Sequence, residues 1–534
     1  MECNLADLWE AVVDAVPDRE ALVCGSRRLT YQEADERANR LAHHLVANGI
    51  GKGDHVAIYL YNGTEYVEAM LAAYKLRAAP LNVNYRYVED ELRYLLADSD
   101  AEAIVFNREF APKLAAIRAD LPLLKTFVAV DDRSGADLAS VDAVDYEGAL
   151  EAAPAGRDFG PRSADDPYIL YTGGTTGMPK GVLWRHEDIF FGALNSLGPN
   201  VSSADEVVAG ARTGSTHTLP ACPFMHGTAH WVALATLLNG GTVVIDEKRR
   251  MEPLHIWELV ARERVSFLVI VGDAMGRPLV EAIDDLDASF DLSGLAILLS
   301  GGAILSPSVK RAFAVKLPGT VVLDGFGSSE AGGQGQMVTG KDGDAPSQPR
   351  FVVNDETTVL TDDLQPAPPG VVGKLARRGH VPLGYYKDPE KSAATFPVID
   401  GTRWSIPGDH ARIEDDGTIT VLGRGSVSIN SGGEKVYPEE VEGALKGHDG
   451  VFDAVVVGVR DERWGERVVA LVQPRDTDNP PTFDDLDAHA RRHISGYKAP
   501  RDVVFVDEIV RSPSGKPDYR WAKTVATERL MPSM

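Results

Sequence analysis

Residues 171–186, "YTGGTTGMPKGVLWRH", put three threonines, four glycines and one lysine into a single short stretch. Apolar Tyr168, Ile169, Leu170 and Tyr171 lead in, and Val182, Leu183 and Trp184 lead out. The segment therefore reads as strand–loop–strand or strand–loop–helix. Glycines let such a loop bend and bare its backbone N–H groups, which with threonine hydroxyls and one ammonium suit a polyphosphate. The spacing departs from the Walker P-loop, which needs glycine directly before lysine and Ser or Thr directly after it. Here Met178 and Pro179 precede Lys180, and Gly181 follows. Taken alone, the stretch is equally well a glycine-rich surface turn.

Outward from this loop, 534 residues exceed what one core holds, so two or more domains are expected. Hydrophobic residues at 44% and charged residues at 25% are ordinary for a globular enzyme. A net charge of −25 argues against nucleic acid or an anionic membrane as partner, and means that any anionic ligand needs local positive groups. Cys3, Cys24 and Cys222 form neither a metal spacing nor a disulfide framework. The N-terminal "MECNLADLWEAV" lacks a signal-peptide pattern, and no apolar run reaches the roughly 18 residues of a membrane span. A cytoplasmic location is expected.

"LTYQEADERANRLAHHL" opens on a capping box, Thr30 to Glu33, and carries Ala34, Ala38, Leu41 and Leu45 on one helical face. The buried strand "HVAIYLYNG" (55–63) follows, then an Ala/Leu-rich helix from about Glu65 to Leu76. The alternation recurs at "AEAIVFN", "GTVVIDE", "VSFLVIVG" and "LAILLSGGA", which argues for α/β layers of largely parallel strands. Residues 132–166 read as a long surface connection and 339–370 as a second loop-rich stretch. Beyond Arg424 come a short helix (438–446), apolar runs at 451–459 and 468–472, and a polar helix near 483–493. Together these make an α+β domain of its own.

Other segments carry chemistry. "LSGGAILSPS" (299–308) sets Gly301, Gly302 and Ala303 after a buried strand, where backbone can lie against a planar ring. "LDGFGSSEAGG" (323–333) offers Asp324, Gly325, Phe326, Gly327, Ser328, Ser329 and Glu330, hydroxyls beside a carboxylate that suits Mg²⁺. "WSIPGDH" brings Asp409, able to take two ribose hydroxyls, and Arg424 stands at the domain break. "SPSGKPDY" lifts Lys516 onto a turn. Singly, each is as readily a solvated loop.

In this order, over essentially the whole chain, these motifs resemble the adenylate-forming superfamily of acyl-CoA synthetases, nonribosomal adenylation domains and firefly-type luciferases. The resemblance implies a large N-terminal domain (1–423) holding the ATP and acyl sites, and a small mobile C-terminal domain (424–534). It implies ATP, Mg²⁺ and CoA, and assigns Thr172, Gly173, Gly174, Thr175, Thr176, Gly177 and Lys180 to the phosphates. Ser329 would touch the α-phosphate and Glu330 would bind Mg²⁺. Gly302, Ala303 and Phe326 would sandwich adenine, while Asp409 and Arg424 would hold ribose. Lys516 would bridge carboxylate and α-phosphate. Ser431, Gly432, Gly433 and Lys435 match the segment lining the pantetheine tunnel. His226 sits where the family has a residue at the mouth of the acyl pocket, with His230 and Trp231 as candidate walls.

Ser426 replaces the usual Asp or Lys at the hinge. Small Gly272, Ala274 and Gly276 fit a broad acyl cavity, as in ligases for bulky or sterol side-chain acids. The expected activity is an AMP-forming acyl-CoA ligase for a long-chain or bulky acid, with that acid and CoA as partners; a homodimer stays open. Amino- or aryl-acid activation for a carrier protein is disfavoured by the absence of an acid at 222–231 and by the 18 residues that follow Lys516. Luciferase-like oxidation shares every motif and stays open as well. Retention of both Lys180 and Lys516 argues against a non-catalytic ATP-binding protein.

Overall fold

A computed structural model describes residues 3–172, 178–195, 201–287, 290–339, 349–424, 427–431, 434–461, 464–512 and 515–530. The capping box forms as read: Thr30 accepts from the Glu33 N–H, and Glu33 accepts from the Thr30 N–H at 2.8 Å. The Tyr31–Ala47 helix that follows buries Ala34, Ala38, Leu41 and Leu45.

Alternating strands and helices build two parallel layers. One sheet orders Ala79–Asn82, His55–Tyr59, Ala101–Asn107, Thr126–Val130 and Val144–Asp145, all parallel. In the other, Glu20–Cys24, Thr242–Ile245, His217–Pro220, Phe267–Ile270, Ile297–Gly301 and Val321–Ser328 run parallel in that spatial order. From Gly332–Val338 onward this sheet continues antiparallel through Arg350–Val353, Ile419–Arg424, Asp409–Ile413 and Val372–Arg378. Central parallel strands such as His55–Tyr59 and Thr242–Ile245 are buried along their whole length, as strands covered on both faces are. Their carboxyl ends are where an α/β sheet receives a ligand.

Two stretches differ from expectation. Residues 132–166 hold the short Tyr146–Glu151 helix, whose buried Tyr146 hydroxyl bonds Glu68 at 2.6 Å. The second, 339–370, contains the strands Arg350–Val353 and Thr357–Leu360. Both were hidden by polar, turn-rich flanks around very short elements. Residues 340–348 lie outside the described residues.

The C-terminal strands form a separate sheet of Glu434–Val436, Ile429–Ser431, Gly465–Pro474, Val451–Asp461 and Asp502–Phe505. Along Val451–Asp461, Ala454 and Val456 pack with the Pro438–Lys446 and Phe483–Ala490 helices. Val455, Val457 and Val459 pack against the Tyr519–Leu530 helix. A period of two thus feeds two cores, which explains a run too continuously apolar for a one-sided strand. Among the described residues no helix is long and apolar enough to cross a membrane.

Candidate active site

The loop at 171–186 joins an antiparallel hairpin, Pro167–Thr172 with Lys180–Arg185, in which Thr172 stands opposite Lys180. Strand–loop–strand is therefore the outcome. Gly173, Gly174, Thr175, Thr176 and Gly177 lie outside the described residues. Gly181 is a packing requirement: a Cβ there would come within 2.8 Å of the Tyr171 ring.

Lys180 ion-pairs with Asp388 and lies 5.8 Å from the centre of the Tyr385 ring. The Tyr385 hydroxyl donates to Glu330 Oε1 at 3.1 Å. One tyrosine therefore links the lysine and the carboxylate expected at the phosphates and the metal. Tyr385 is set by the short Gly384–Tyr385 strand pairing with Leu183 and Val182 of the hairpin. Trp184 ties the same hairpin to the Ser329 carbonyl at 3.1 Å, and Ser405 donates to the Glu330 carbonyl at 2.6 Å. The buried Arg377 guanidinium, bonded to the carbonyls of Gly192 and Ala331, fixes the turn from behind. Glu330 is 8% exposed, and the nearby Ser328 hydroxyl is buried without a hydrogen-bond partner. A buried carboxylate with an unspent hydroxyl two residues away is a hard-oxygen set that fits Mg²⁺.

The largely buried Asp324 carboxylate pairs with Lys310 beneath the turn. The residues expected at adenine lie at the ends of adjacent strands. Gly301 closes its strand opposite Gly325, exposed Gly302 follows at φ +85°, and Phe326 lies one residue beyond Gly325 with its ring 5.1 Å from Phe351. A Cβ on Gly302 would stand 3.3 Å from Thr228 Oγ1, which places the first turn of the Gly227–Leu238 helix beside this bare backbone. Asp409 and Arg424 face each other in register across their strands.

His226 is the N-cap residue of the Gly227–Leu238 helix. Burial, then the positive charge of Lys516, pushes its pKa down to about 3, and its buried Nε2 has no hydrogen-bond partner. The imidazole is thus neutral near pH 7. Lys516, from the other end of the chain, reaches this site on a tight turn. Ser512 N–H donates to the Lys516 carbonyl at 2.8 Å, and Lys516 N–H donates to Ser512 Oγ at 3.2 Å. Gly515 in this turn, at φ +74°, lies against Val271, where a Cβ would come within 3.1 Å of Val271 Cγ1. Arg475 bonds Glu281 at 2.7 Å, and Arg277 lies 5.6 Å from the Phe452 ring centre, extending the contact between the two ends of the chain.

The expected acyl-pocket residues need revision. His230 is committed on both nitrogens, to the Phe224 carbonyl at 2.7 Å and to the Tyr168 hydroxyl, which also accepts from Trp231 Nε1 at 2.7 Å. His230 and Tyr168 border a small internal void with Tyr66 and Met70, a packed layer in place of an open wall. Gly276 does not face a cavity: a Cβ there would come within 2.6 Å of Leu305 and 3.2 Å of Val309. A Cβ on Gly272 would meet the Ile304 carbonyl at 2.7 Å, and Ala274 is exposed. Small residues in this segment let its helix approach the next one.

Ser431 closes a strand whose neighbour Asn430 stands opposite Lys435; Gly432, Gly433 and Ser426 lie outside the described residues. Sequence reading missed the supports Tyr385, Arg377, Thr228 and Arg511. Their partners are remote in the chain, so no local pattern marks them.

The family described as "AMP-binding enzyme" matches residues 9–386, and the one described as "AMP-binding enzyme C-terminal domain" matches residues 440–516. A 3-oxocholest-4-en-26-oate–CoA ligase of Rhodococcus rhodochrous is 48% identical over 98% of this chain and 96% of its own. A medium/long-chain-fatty-acid–CoA/3-oxocholest-4-en-26-oate–CoA ligase of Mycolicibacterium smegmatis is 47% identical over 99% and 97%. Among solved structures, ATP-bound MatB from Rhodopseudomonas palustris superimposes with a TM-score of 0.83 at 25% identity, over 99% of this chain and 100% of that one. Spanned by both matches in the order its motifs predict, and nearly half identical to relatives along almost its full length, the chain belongs to the AMP-binding enzyme family.

Proposed function

We propose that the chain is an ATP-dependent acyl-CoA ligase for long-chain or bulky carboxylic acids, including steroid side-chain acids. We further propose that it divides at Arg424 into an adenylating domain (1–423) and a lid (424–534). The observation that carries the reading is the linkage of Lys180 and Glu330 through Tyr385, together with the seating of the Lys516 turn on the large domain, where Gly515 lies against Val271. The substrate class rests on relatives near 47% identity, which are ligases for such acids.

In the first half-reaction an acyl carboxylate oxygen attacks the α-phosphorus of ATP, the bond to the β-phosphate breaks, and pyrophosphate leaves. Two anions must meet, and one ammonium about 4 Å away contributes roughly 4 kcal/mol at an effective dielectric near 20. Lys516 supplies that charge on the acyl side, and Lys180, released from Asp388, supplies it at the outer phosphates. Glu330 would hold Mg²⁺, with Tyr385 orienting its carboxylate; bound there, the metal neutralises phosphate charge. In the second half-reaction the CoA sulfur attacks the acyl carbon, its proton goes to solvent, and AMP leaves.

The test is pyrophosphate release from ATP against acetate, palmitate and C24 and C27 steroid acids, with and without CoA. Preferential turnover of palmitate or the steroid acids, with acyl-CoA formed only when CoA is present, supports the reading. Turnover confined to acetate overturns the substrate class.

A further inference from the structure

Besides its internal hydrogen bonds, the Lys516 turn is supported from inside its own domain by the Arg511 guanidinium. Arg511 donates from Nη1 to the Gly515 carbonyl at 2.7 Å, and from Nε and Nη2 to the two carboxylate oxygens of Asp453, each at 2.8 Å. Its side chain is 13% exposed and Asp453's 10%. Asp453 lies on the long Val451–Asp461 strand and is also paired with Lys446 of the Pro438–Lys446 helix at 3.4 Å. Arg511 thus braces the turn against the long Val451–Asp461 strand, next to the irregularity in its pairing between Val451 and Asp453. The bidentate fork fixes its plane, and the remaining N–H group points at the peptide next to Lys516.

The same guanidinium feels the large domain. Burial opposes its charge, and Asp453, Glu442 and Asp273 together more than restore it. Asp273 stands in the first turn of the Gly272–Ala282 helix, beside the Val271 that Gly515 contacts. Its Oδ1 accepts from the Ser306 N–H at 2.7 Å, and its Oδ2 lies 3.8 Å from Arg277 Nη2 of the same helix.

We propose that Arg511 is a positioning residue for the first half-reaction, bracing the Lys516 turn on Asp453. A lysine on a long flexible stem delivers its charge only as well as its backbone is placed, and an error of about 1 Å costs on the order of 100-fold in rate. Thiol attack on preformed acyl-AMP does not use that charge, so Arg511 should matter in one half-reaction only.

The proposal rests on the ligase reading, and the experiment separates the two. Full-length wild type, Arg511→Ala and Arg511→Lys are compared in three measurements. These are pyrophosphate release with palmitate, acyl-CoA formation from supplied palmitoyl-AMP plus CoA, and hydrogen exchange of the Ser512, Gly515 and Lys516 amides. Lys446 still neutralises Asp453 in the alanine variant, so the fold is expected to survive. Arg511→Ala should lower kcat for adenylation about 100-fold, leave KM for ATP and acid within about twofold, and leave thioesterification within about twofold. The three amides should exchange at least tenfold faster while the Val451–Asp461 strand stays protected. Arg511→Lys, able to reach one partner but not both, should recover part of kcat. Inactive wild type would overturn the ligase reading, and the exchange result would still decide the brace. Unchanged exchange of the turn, or equal loss of both half-reactions, would overturn the proposal.

Discussion

Glu330 and the buried histidines carry the clearest residue-scale expectations. Glu330→Gln keeps the Tyr385 and Ser405 contacts but removes the charge, so adenylation should fall about 100-fold or more while Tm changes little; rates across a Mg²⁺ titration check this. An unaltered Mg²⁺ dependence would remove Glu330 from the metal site. Burial pushes His186 down to about 4, His226 to about 3 and His230 to about 4. Their folded pKa values lie below the unfolded one, so the unfolded chain binds the extra protons, and stability is lost as pH falls from about 6.5 toward 4. His186→Asn retains an acceptor for the Leu5 N–H, bonded at 3.2 Å in the parent, and cannot take a proton. It should reduce the difference in unfolding free energy between pH 7 and pH 5 by about 2 kcal/mol, as read by urea denaturation at the two pH values. Lys180, Glu330 and Lys516 stand out in the sequence because each lies in a short motif whose chemistry is local. Tyr385, Arg377 and Arg511 were not: a tyrosine or arginine that braces a turn looks like any other until its partner is brought to it.

At the scale of elements, the Gly272–Ala282 helix shows how a correct local reading gave the wrong neighbour. The small residues are real, but the space beside Gly276 is filled by Leu305 and Val309. Gly276→Phe should therefore overpack the core, costing on the order of 1–3 kcal/mol or more, with KM changed alike for short and bulky acids. Thermal unfolding and KM for acetate against a C24 steroid acid check this, and a selective rise for the bulky acid would restore a pocket role. Long, strongly patterned elements were readable. The capping box fixed the Tyr31–Ala47 helix, and uninterrupted apolar runs fixed the parallel strands. Short strands such as Arg350–Val353 were not, because four residues hold too little pattern to stand out from turn-rich flanks.

At the scale of the whole molecule, the C-terminal segment stands with Gly515 on Val271, held by Arg475 to Glu281 and by Arg277 against Phe452. The second half-reaction needs the pantetheine thiol at the acyl carbon, where Lys516 has no task. The order of motifs along the chain made both halves of the molecule legible, but their mutual orientation was not, since contacts such as Arg475 to Glu281 join residues far apart in sequence. The most direct measurement follows Lys516→Ala through the two half-reactions separately, by pyrophosphate release from ATP and acid and by acyl-CoA formation from purified acyl-AMP and CoA. Loss of one opposite charge at the meeting anions should cut adenylation by a factor on the order of 100 to 1000, while conversion of supplied acyl-AMP stays within about twofold of wild type. Equal loss of both half-reactions in a folded variant would contradict the account.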